Sequence, residues 1–227
     1  MTDVTIVTAK PYLHNVEGDV YINNIFKEYY LLQEALKAKG FTVARTYWDD
    51  PDYDWSQTRV AVIRTVWDYF ERFIEFNEWM VTTAAVTQLV NPLVLQQWNS
   101  HKFYLRQLQQ KGVRIVATEF VSAGSRITLK EIAERRGWKK LVIKPAISAA
   151  AFHTYKVSEK NWTAMEAVYK TLIGQRDMLV QEFLETIETK GEASLMICNG
   201  RFTHAILKKA KVGDFRVQDD FGGTVHP

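Results

Sequence analysis

Leu141-Val142-Ile143-Lys144-Pro145, with the run that follows it, Ala146-Ile147-Ser148-Ala149-Ala150-Ala151, is the stretch on which the fold turns. Three apolar residues suit a buried strand, and Pro145 biases Lys144 towards an extended backbone. The segment therefore reads as a strand that ends on a lysine. Lysine is uncommon at the end of an apolar strand without a partner. It either meets an anionic ligand or carries its amine to water along its own aliphatic stem. The small residues after the proline allow close approach to the backbone, and Ser148 adds a hydroxyl. Alanine takes positive φ less freely than glycine, so this run is expected to be stiffer than a glycine loop or to use a different turn.

Periodicity and turn chemistry place the neighbours. On the N-terminal side, a helix over 101–110 ends at Lys111-Gly112, an extended stretch covers 115–121, and a helix over 129–136 stops at Gly137. On the C-terminal side, a helix over 162–172 precedes a strand over 178–183. Ala193–Cys198 and Phe202–Lys209 then flank Asn199-Gly200, and Asn-Gly between two extended runs is a strong hairpin signal. The earlier residues read differently. A β-branched strand at 4–9 leads into a helix on which Ile22, Ile25, Phe26, Tyr29, Leu32 and Leu36 recur at helical spacing, closed by Gly40. Strands at 41–47 and 60–64, a helix at 70–85 and a strand at Leu89-Val90 ending on Asn91-Pro92 complete the pattern of an open α/β sheet. The expected fold class is thus α/β passing into α+β. An open α/β N-terminal domain covers 1–98, a central subdomain 99–184 and a last, incomplete subdomain 185–227.

Composition narrows the function. The net charge of +3 is too small and too evenly spread to argue for nucleic acid. No stretch approaches the roughly 18 apolar residues of a membrane span, and MTDVTIVTAK has neither the basic nor the apolar region of a signal peptide. A single cysteine, Cys198, rules out an intrachain disulfide and fits a reducing, cytoplasmic setting. No G-x-G-x-x-G follows the first strand, and there is no G-x-S-x-G elbow. Lys208, Lys209, Lys211 and Arg216 form the one basic cluster, which on its own reads as a solvated strand edge. Arg64, Trp67, Asp68 and Tyr69 follow a buried strand, where open α/β sheets place ligands. Arg64 suits a substrate carboxylate and Asp68 an amine, between walls of Trp67 and Tyr69. An Arg–Asp surface pair beside core aromatics explains the same residues equally well.

From about Asn91 onward the chain carries motifs in a fixed order: Lys102 in NSHKFYLRQL, then Val142-Ile143-Lys144-Pro145, Gln181-Glu182-Phe183-Leu184, Lys190-Gly191-Glu192, the Asn199-Gly200 hairpin, Gly213-Asp214-Phe215-Arg216 and Gly222-Gly223. Their order and spacing resemble the ATP-grasp superfamily, in particular its glutathione synthetase and D-cycloserine ligase-like branch. The resemblance implies ATP held between two α+β subdomains, the 99–184 region being the lid. Lys102, entering on a helix, and the small-residue run with Ser148 would meet the phosphates. Lys144 would reach the α-phosphate side and the adenine. Gln181, Glu182, Phe183 and Leu184 would form the linker whose backbone reads the adenine under apolar cover. Glu192 would accept from the ribose hydroxyls, since one carboxylate accepts two donors. Lys208 and Arg216 would line the transfer site, Arg216 with a fork suited to phosphate. Ser194 stands where relatives carry an arginine, so one contact of the pattern is missing. Solvated lysines, a surface glutamate and a buried strand end are the plain alternatives for these positions.

The implied activity is an ATP-dependent carboxylate–amine ligase, or one using a related nitrogen nucleophile. It would act through an acyl-phosphate on a small amino-acid or peptide-like substrate, with the N-terminal domain helping to bind the acceptor. Relatives also use Mg2+, held by an aspartate and a Glu-x-Asn motif beyond the Gly-Gly loop. Those ligands are absent here, and Asp219 and Asp220 precede that loop. Ending on Thr224-Val225-His226-Pro227 without a closing helix or strand, the chain reads as truncated, with weak activity or none. A non-catalytic nucleotide-binding or interaction module is the alternative. Uncovered sheet edges and an uncovered apolar face invite pairing with a second copy, a homodimer.

Overall fold

The β-branched run near the N-terminus forms β1 (Thr2–Thr8), and the first sheet is assembled around it. Strands β2 (Val43–Tyr47), β3 (Thr58–Thr65) and β4 (Gln88–Val90) join it in the order β2-β1-β3-β4, every pairing parallel. Parallel strands are covered on both faces, and β1 accordingly buries Val4, Ile6 and Val7 together with Thr5 and Thr8. The two buried threonines are satisfied across the sheet: Thr5 Oγ1 lies 2.9 Å from Thr58 Oγ1, and Thr8 Oγ1 lies 2.6 Å from Thr65 Oγ1. Helix α1 (Val20–Lys37) starts where the Asp19 carboxylate accepts from Ile22 N–H, and it buries Ile22, Ile25 and Phe26. Helix α2 (Phe73–Ala84) buries Phe76 and Met80 in a core with Val7, Trp48, Ala61 and Leu89.

The computed structural model describes residues 1–218 and 221–227. Its first compact unit comprises residues 1–107 with 147–149, and its second residues 108–146 with 150–227. The expected cut at 98 falls inside α3 (Leu93–Ser100), a helix that sequence periodicity did not announce. Pro92, expected to end a strand, instead sits extended at the start of this helix. The single helix expected over 101–110 is therefore two pieces. Helix α3 stops where Ser100 Oγ donates to Gln96 O and His101 turns extended, and α4 (Tyr104–Gln110) begins afresh. Lys102 lies on the turn between them rather than on a helix.

In the second unit, strands β5 (Thr118–Val121), β6 (Leu141–Pro145), β7 (Tyr155–Val157) and β8 (Met178–Glu182) form an antiparallel sheet in the order β5-β8-β6-β7. Helices α5 (Leu129–Arg136) and α6 (Trp162–Ile173) cover one face, burying Leu129, Ile132, Tyr169 and Ile173 against Leu141, Ile143, Val157 and Val180. Helix α5 has a capping box from Thr128 and Glu131 and closes on Gly137 at φ +71°. A short helix α7 (Thr186–Thr189), also unforeseen, leads into β9 (Glu192–Cys198) and β10 (Arg201–Lys209). The hairpin between them is the expected one. Asn199 and Gly200 both take positive φ, +49° and +74°, the requirement of a type I′ turn. Contrary to expectation the chain does end on a strand. The extended Thr224–His226, β11, pairs with Leu207–Lys209.

Gly191 and Gly200 differ in what surrounds them. A Cβ at Gly191, φ +90°, would lie 2.3 Å from Lys208 O, whereas one at Gly200 would meet open space. Gly191→Ala should lower stability by about 3 kcal/mol, and Gly200→Asn by about 1 kcal/mol or less, in denaturant unfolding.

Candidate functional site

The register of β6 delivers Lys144 to the strand end opposite Leu179 of β8. The side chain is largely buried, and burial pulls its amine below the ordinary lysine range, with Glu192 partly offsetting the shift. Among the described residues Lys144 has no ion-pair partner. Glu192 opens β9 directly opposite Lys208 of β10, so Lys144, Glu192 and Lys208 belong to one neighbourhood. Ser194 of β9 lies opposite Ile206.

The linker after β8 uses most of its own hydrogen-bonding capacity. Gln181 is buried and donates to Thr118 Oγ1 at 2.8 Å. Glu182 N–H donates to Ala117 O and Phe183 N–H to Lys140 O, at 3.1 and 3.0 Å. Of the four expected reading positions, only Leu184 keeps an N–H that meets no acceptor among the described residues. Phe183 is buried, with the Phe215 ring edge-on at 6.0 Å and the Lys156 amine 3.9 Å from its own ring centre. Lys156 in turn pairs with Glu188 at 2.5 Å.

Arg216 is held by its neighbour. Its Nε donates to Asp214 at 3.0 Å and its Nη2 at 2.6 Å, while its guanidinium stacks 3.7 Å from the Phe221 ring centre. Asp214 also accepts from the N–H groups of Phe215 and Arg216. The Arg216 side chain, against some opposition from desolvation and with help from these N–H groups, holds the Asp214 carboxyl well below the usual carboxylate range. Gly213, Asp214, Phe215 and Arg216 line a cleft of about 600 Å³ together with residues of β7 and the loop before it.

The small-residue run takes the turn that its composition disfavours. Ala150 and Ala151 have φ of +47° and +56°, and His153 has +46°. Each such residue costs on the order of 1 kcal/mol or more, and such strain clusters where a backbone must present itself to something. Ser148 is buried, and its carbonyl accepts from the Lys102 amine, so these two expected phosphate contacts meet within the first unit.

Arg64 and Asp68 also lie in the first unit and are not paired with each other. Arg64 donates through Nε to Glu28 at 2.7 Å. Asp68 accepts from Trp48 Nε1 at 3.1 Å and lies 3.8 Å from Arg72, which itself stacks over Trp48. Trp67 packs against Tyr12 and Tyr21. His153, Tyr155, Lys156 and Asp214 were missed in the sequence. Their one signal was adjacency to the Lys144 strand or to Arg216.

Lys144, a largely buried amine with Glu192 as a charged neighbour, and Leu184, with an unused N–H beside the Phe183 ring, are groups of the kinds that a nucleotide engages. They do not make a magnesium site. Among the described residues no group of three or more His, Cys, Asp or Glu is placed to hold a metal ion, and Asp219 and Asp220 lie outside the described residues. No helix among the described residues is long and apolar enough to cross a membrane.

Two antiparallel sheets joined by the 183–191 linker, with a buried strand-end lysine and a glutamate opening the hairpin, follow a parallel four-stranded unit. The chain has the fold of ATP-grasp proteins and is similar, in sequence and in structure, to D-cycloserine synthetase. Residues 4–91 match the family described as D-cycloserine synthetase DcsG, N-terminal domain. The cycloserine biosynthesis protein DcsG of Streptomyces lavendulae is 29% identical over 199 residues, covering 86% of this chain. The chain spans 64% of the length of that curated relative. The crystal structure of D-cycloserine synthetase DcsG superposes with a TM-score of 0.83 at 25% identity, covering 98% of this chain and 74% of that one. A RimK domain ATP-grasp protein from Sphaerobacter thermophilus, at 16% identity and covering 90% of this chain and 72% of its own, gives a TM-score of 0.64 and shares the fold. The D-alanine–D-alanine ligase of Bacillus anthracis does so too, at 12% identity and a TM-score of 0.61, covering all of this chain and 71% of its own.

Burial makes Lys144 a weaker base in the folded chain than in the unfolded one. The unfolded state therefore binds the proton more tightly, and the charged amine costs stability at neutral pH. That cost fades as pH rises from the depressed value through the ordinary lysine range. Lys144→Met should raise the melting temperature by roughly a few degrees at neutral pH, and the gap to the parent should narrow at alkaline pH.

Proposed function

We propose that the second unit binds ATP and that the protein is an ATP-dependent ligase. It would join a carboxylate to an amine or related nitrogen nucleophile through an acyl-phosphate, on a small amino-acid or peptide-like substrate. The observation that carries this reading is Lys144: a largely buried amine with no ion-pair partner among the described residues, set at the end of β6 in the neighbourhood of Glu192. An amine left in that state gains most from a polyanion, because a phosphate restores the charge partner that burial removed.

The other residues would divide the work by their chemistry. Leu184 N–H and the Phe183 side would receive the adenine edge and face. Glu192 would accept from the ribose hydroxyls, having only acceptor capacity when ionised. Lys208 and Arg216 would steady the oxygens on which charge develops as the phosphoryl group moves, an electrostatic task that needs positioning more than proton transfer. Lys102 would hold the small-residue run through the Ser148 carbonyl, and it would reach phosphate only by leaving that carbonyl. In the first unit, Arg64 and Asp68 would take an acceptor substrate by exchanging Glu28 and Trp48 for substrate groups. Among the described residues no group is placed to hold magnesium, and no step is assigned to it. A cytoplasmic location and a homodimeric state accompany this reading.

Calorimetric titration of ATP into the 227-residue chain, with and without magnesium, tests the reading. Saturable binding is expected, and Lys144→Ala and Arg216→Ala should each weaken it about tenfold or more, the loss of one charge-assisted contact. Absence of any ATP binding by the folded parent chain, or full affinity in both variants, would overturn it.

A further inference from the structure

Arg45 lies in the middle of β2, opposite Ile6 of β1, on the sheet face that α1 covers. Phe26 and Tyr29 of α1 each place a ring centre 4.3 Å from its Cζ. The rings attract the cation through their faces, but they supply no acceptor to its N–H groups in the plane of a hydrogen bond. Of those groups, Nη2 donates to Tyr12 O at 2.6 Å. Nε and Nη1 are buried and meet no acceptor among the described residues. Nor does Arg45 form an ion pair among the described residues. Glu28 lines the same cavity, but its carboxylate accepts from Arg64 Nε at 2.7 Å. Burial pulls Arg45 below the ordinary arginine range, opposed in part by Tyr29, Tyr30 and Glu28. An arginine nonetheless keeps its proton in a protein, so the charge stays and stays unpaired. Buried charges are ordinarily paired, and this one calls for an anion.

The cavity beside it sets the size of that anion. Ile6, Ile25, Tyr29, Leu32, Arg45 and Arg64 border about 10 Å³, the lower limit of room for one water-sized occupant. We propose that this cavity between α1 and the first sheet holds a single halide ion, chloride in ordinary saline, as the charge partner of Arg45. Two guanidinium groups and one carboxylate line the space, an excess of one positive charge that one monovalent anion cancels. A water molecule in the same place satisfies a donor and leaves the charge. Acetate, sulfate and phosphate have several heavy atoms each and exceed the room. Nε and Nη1 point from different edges of the planar group, so the ion meets one of them directly and neutralises the charge that both share. An ion held this way binds the folded chain only, and it ties β2 to α1 as a structural ligand of the first unit. The inference rests on Arg45, needs neither nucleotide nor substrate, and stands or falls apart from the ligase reading.

The test is thermal unfolding of the full chain in sodium chloride exchanged against sodium gluconate at constant ionic strength. The melting temperature should rise by roughly a few degrees between about 1 and about 200 mM chloride and then level off, as for a ligand of the folded state alone. Bromide should act like chloride, whereas acetate and sulfate should have no effect beyond that of gluconate. Chloride-35 NMR gives a second readout: exchange with the site should broaden the free chloride line with the same midpoint. Arg45→Met, which keeps the length of the side chain without its charge, should melt independently of chloride and lose that broadening. Glu28→Gln, at an exposed position, removes the carboxylate that competes for the same charge, and it should bring the chloride midpoint down about threefold or more. A parent chain indifferent to chloride, a response that survives in Arg45→Met, or an equal response to acetate or sulfate overturns the proposal. Should Arg45→Met not fold, Glu28→Gln decides: an unchanged or higher midpoint overturns it, and a lower one supports it.

Discussion

The antiparallel register of β6 against β8 is the constraint on which the second unit depends. Leu141 lies opposite Glu182 and Pro145 opposite Met178, so the strand end carrying Lys144 and the strand end carrying the linker are set by one ladder. Side chains alternate along a strand, and a slip by one residue would send Lys144 towards Tyr169 and Ile173 and turn Ile143 outward. The apolar residues 141 and 143 and the buried 178–180 segment prevent that slip, because both register choices for the core point the same way. Core packing thus fixes the position of a charged group that contributes nothing to the packing.

Around that group the charges are arranged unequally. Arg216 has Asp214, Lys156 has Glu188 and Lys140 has Glu185, at 2.6, 2.5 and 2.6 Å. Exposed pairs of this kind contribute little to stability, about 0–1 kcal/mol. Their effect is on availability: each paired cation must give up a partner before it takes a ligand. Lys144, by contrast, is largely buried, with only a partial offset from Glu192. The first unit follows the same habit, with Arg64 on Glu28 and Asp68 under Trp48.

Much of this was readable in advance where local chemistry and tertiary demand agree. The Asn199-Gly200 turn, the Gly137 cap and the strand over 141–145 follow from the backbone preferences of glycine, asparagine and proline. The parallel sheet followed from β-branched runs separated by helical periodicity. What escaped was decided by long-range pairing or by one hydrogen bond. Strands β7 and β11 are three residues each and exist because β6 and β10 offer them edges. The break at His101 hangs on Ser100 bonding back to Gln96, which periodicity does not register. At the site, the residue types were legible while their pairings were not. Asp214 sits inside a recognised motif, yet nothing in the sequence says that its carboxylate occupies the arginine beside it.

The alanines at 150 and 151 carry one more implication. A loop of glycines samples many shapes when free and must lose that freedom when it closes on a ligand. Methyl groups at positive φ reverse the timing. The unfolded chain has fewer conformations to lose, the folded loop holds a strained shape, and the ordering is completed during folding. A ligand arriving at Ala150 and Ala151 therefore meets a mould instead of a flap, and its selectivity for shape should be correspondingly sharper than its tolerance for variation.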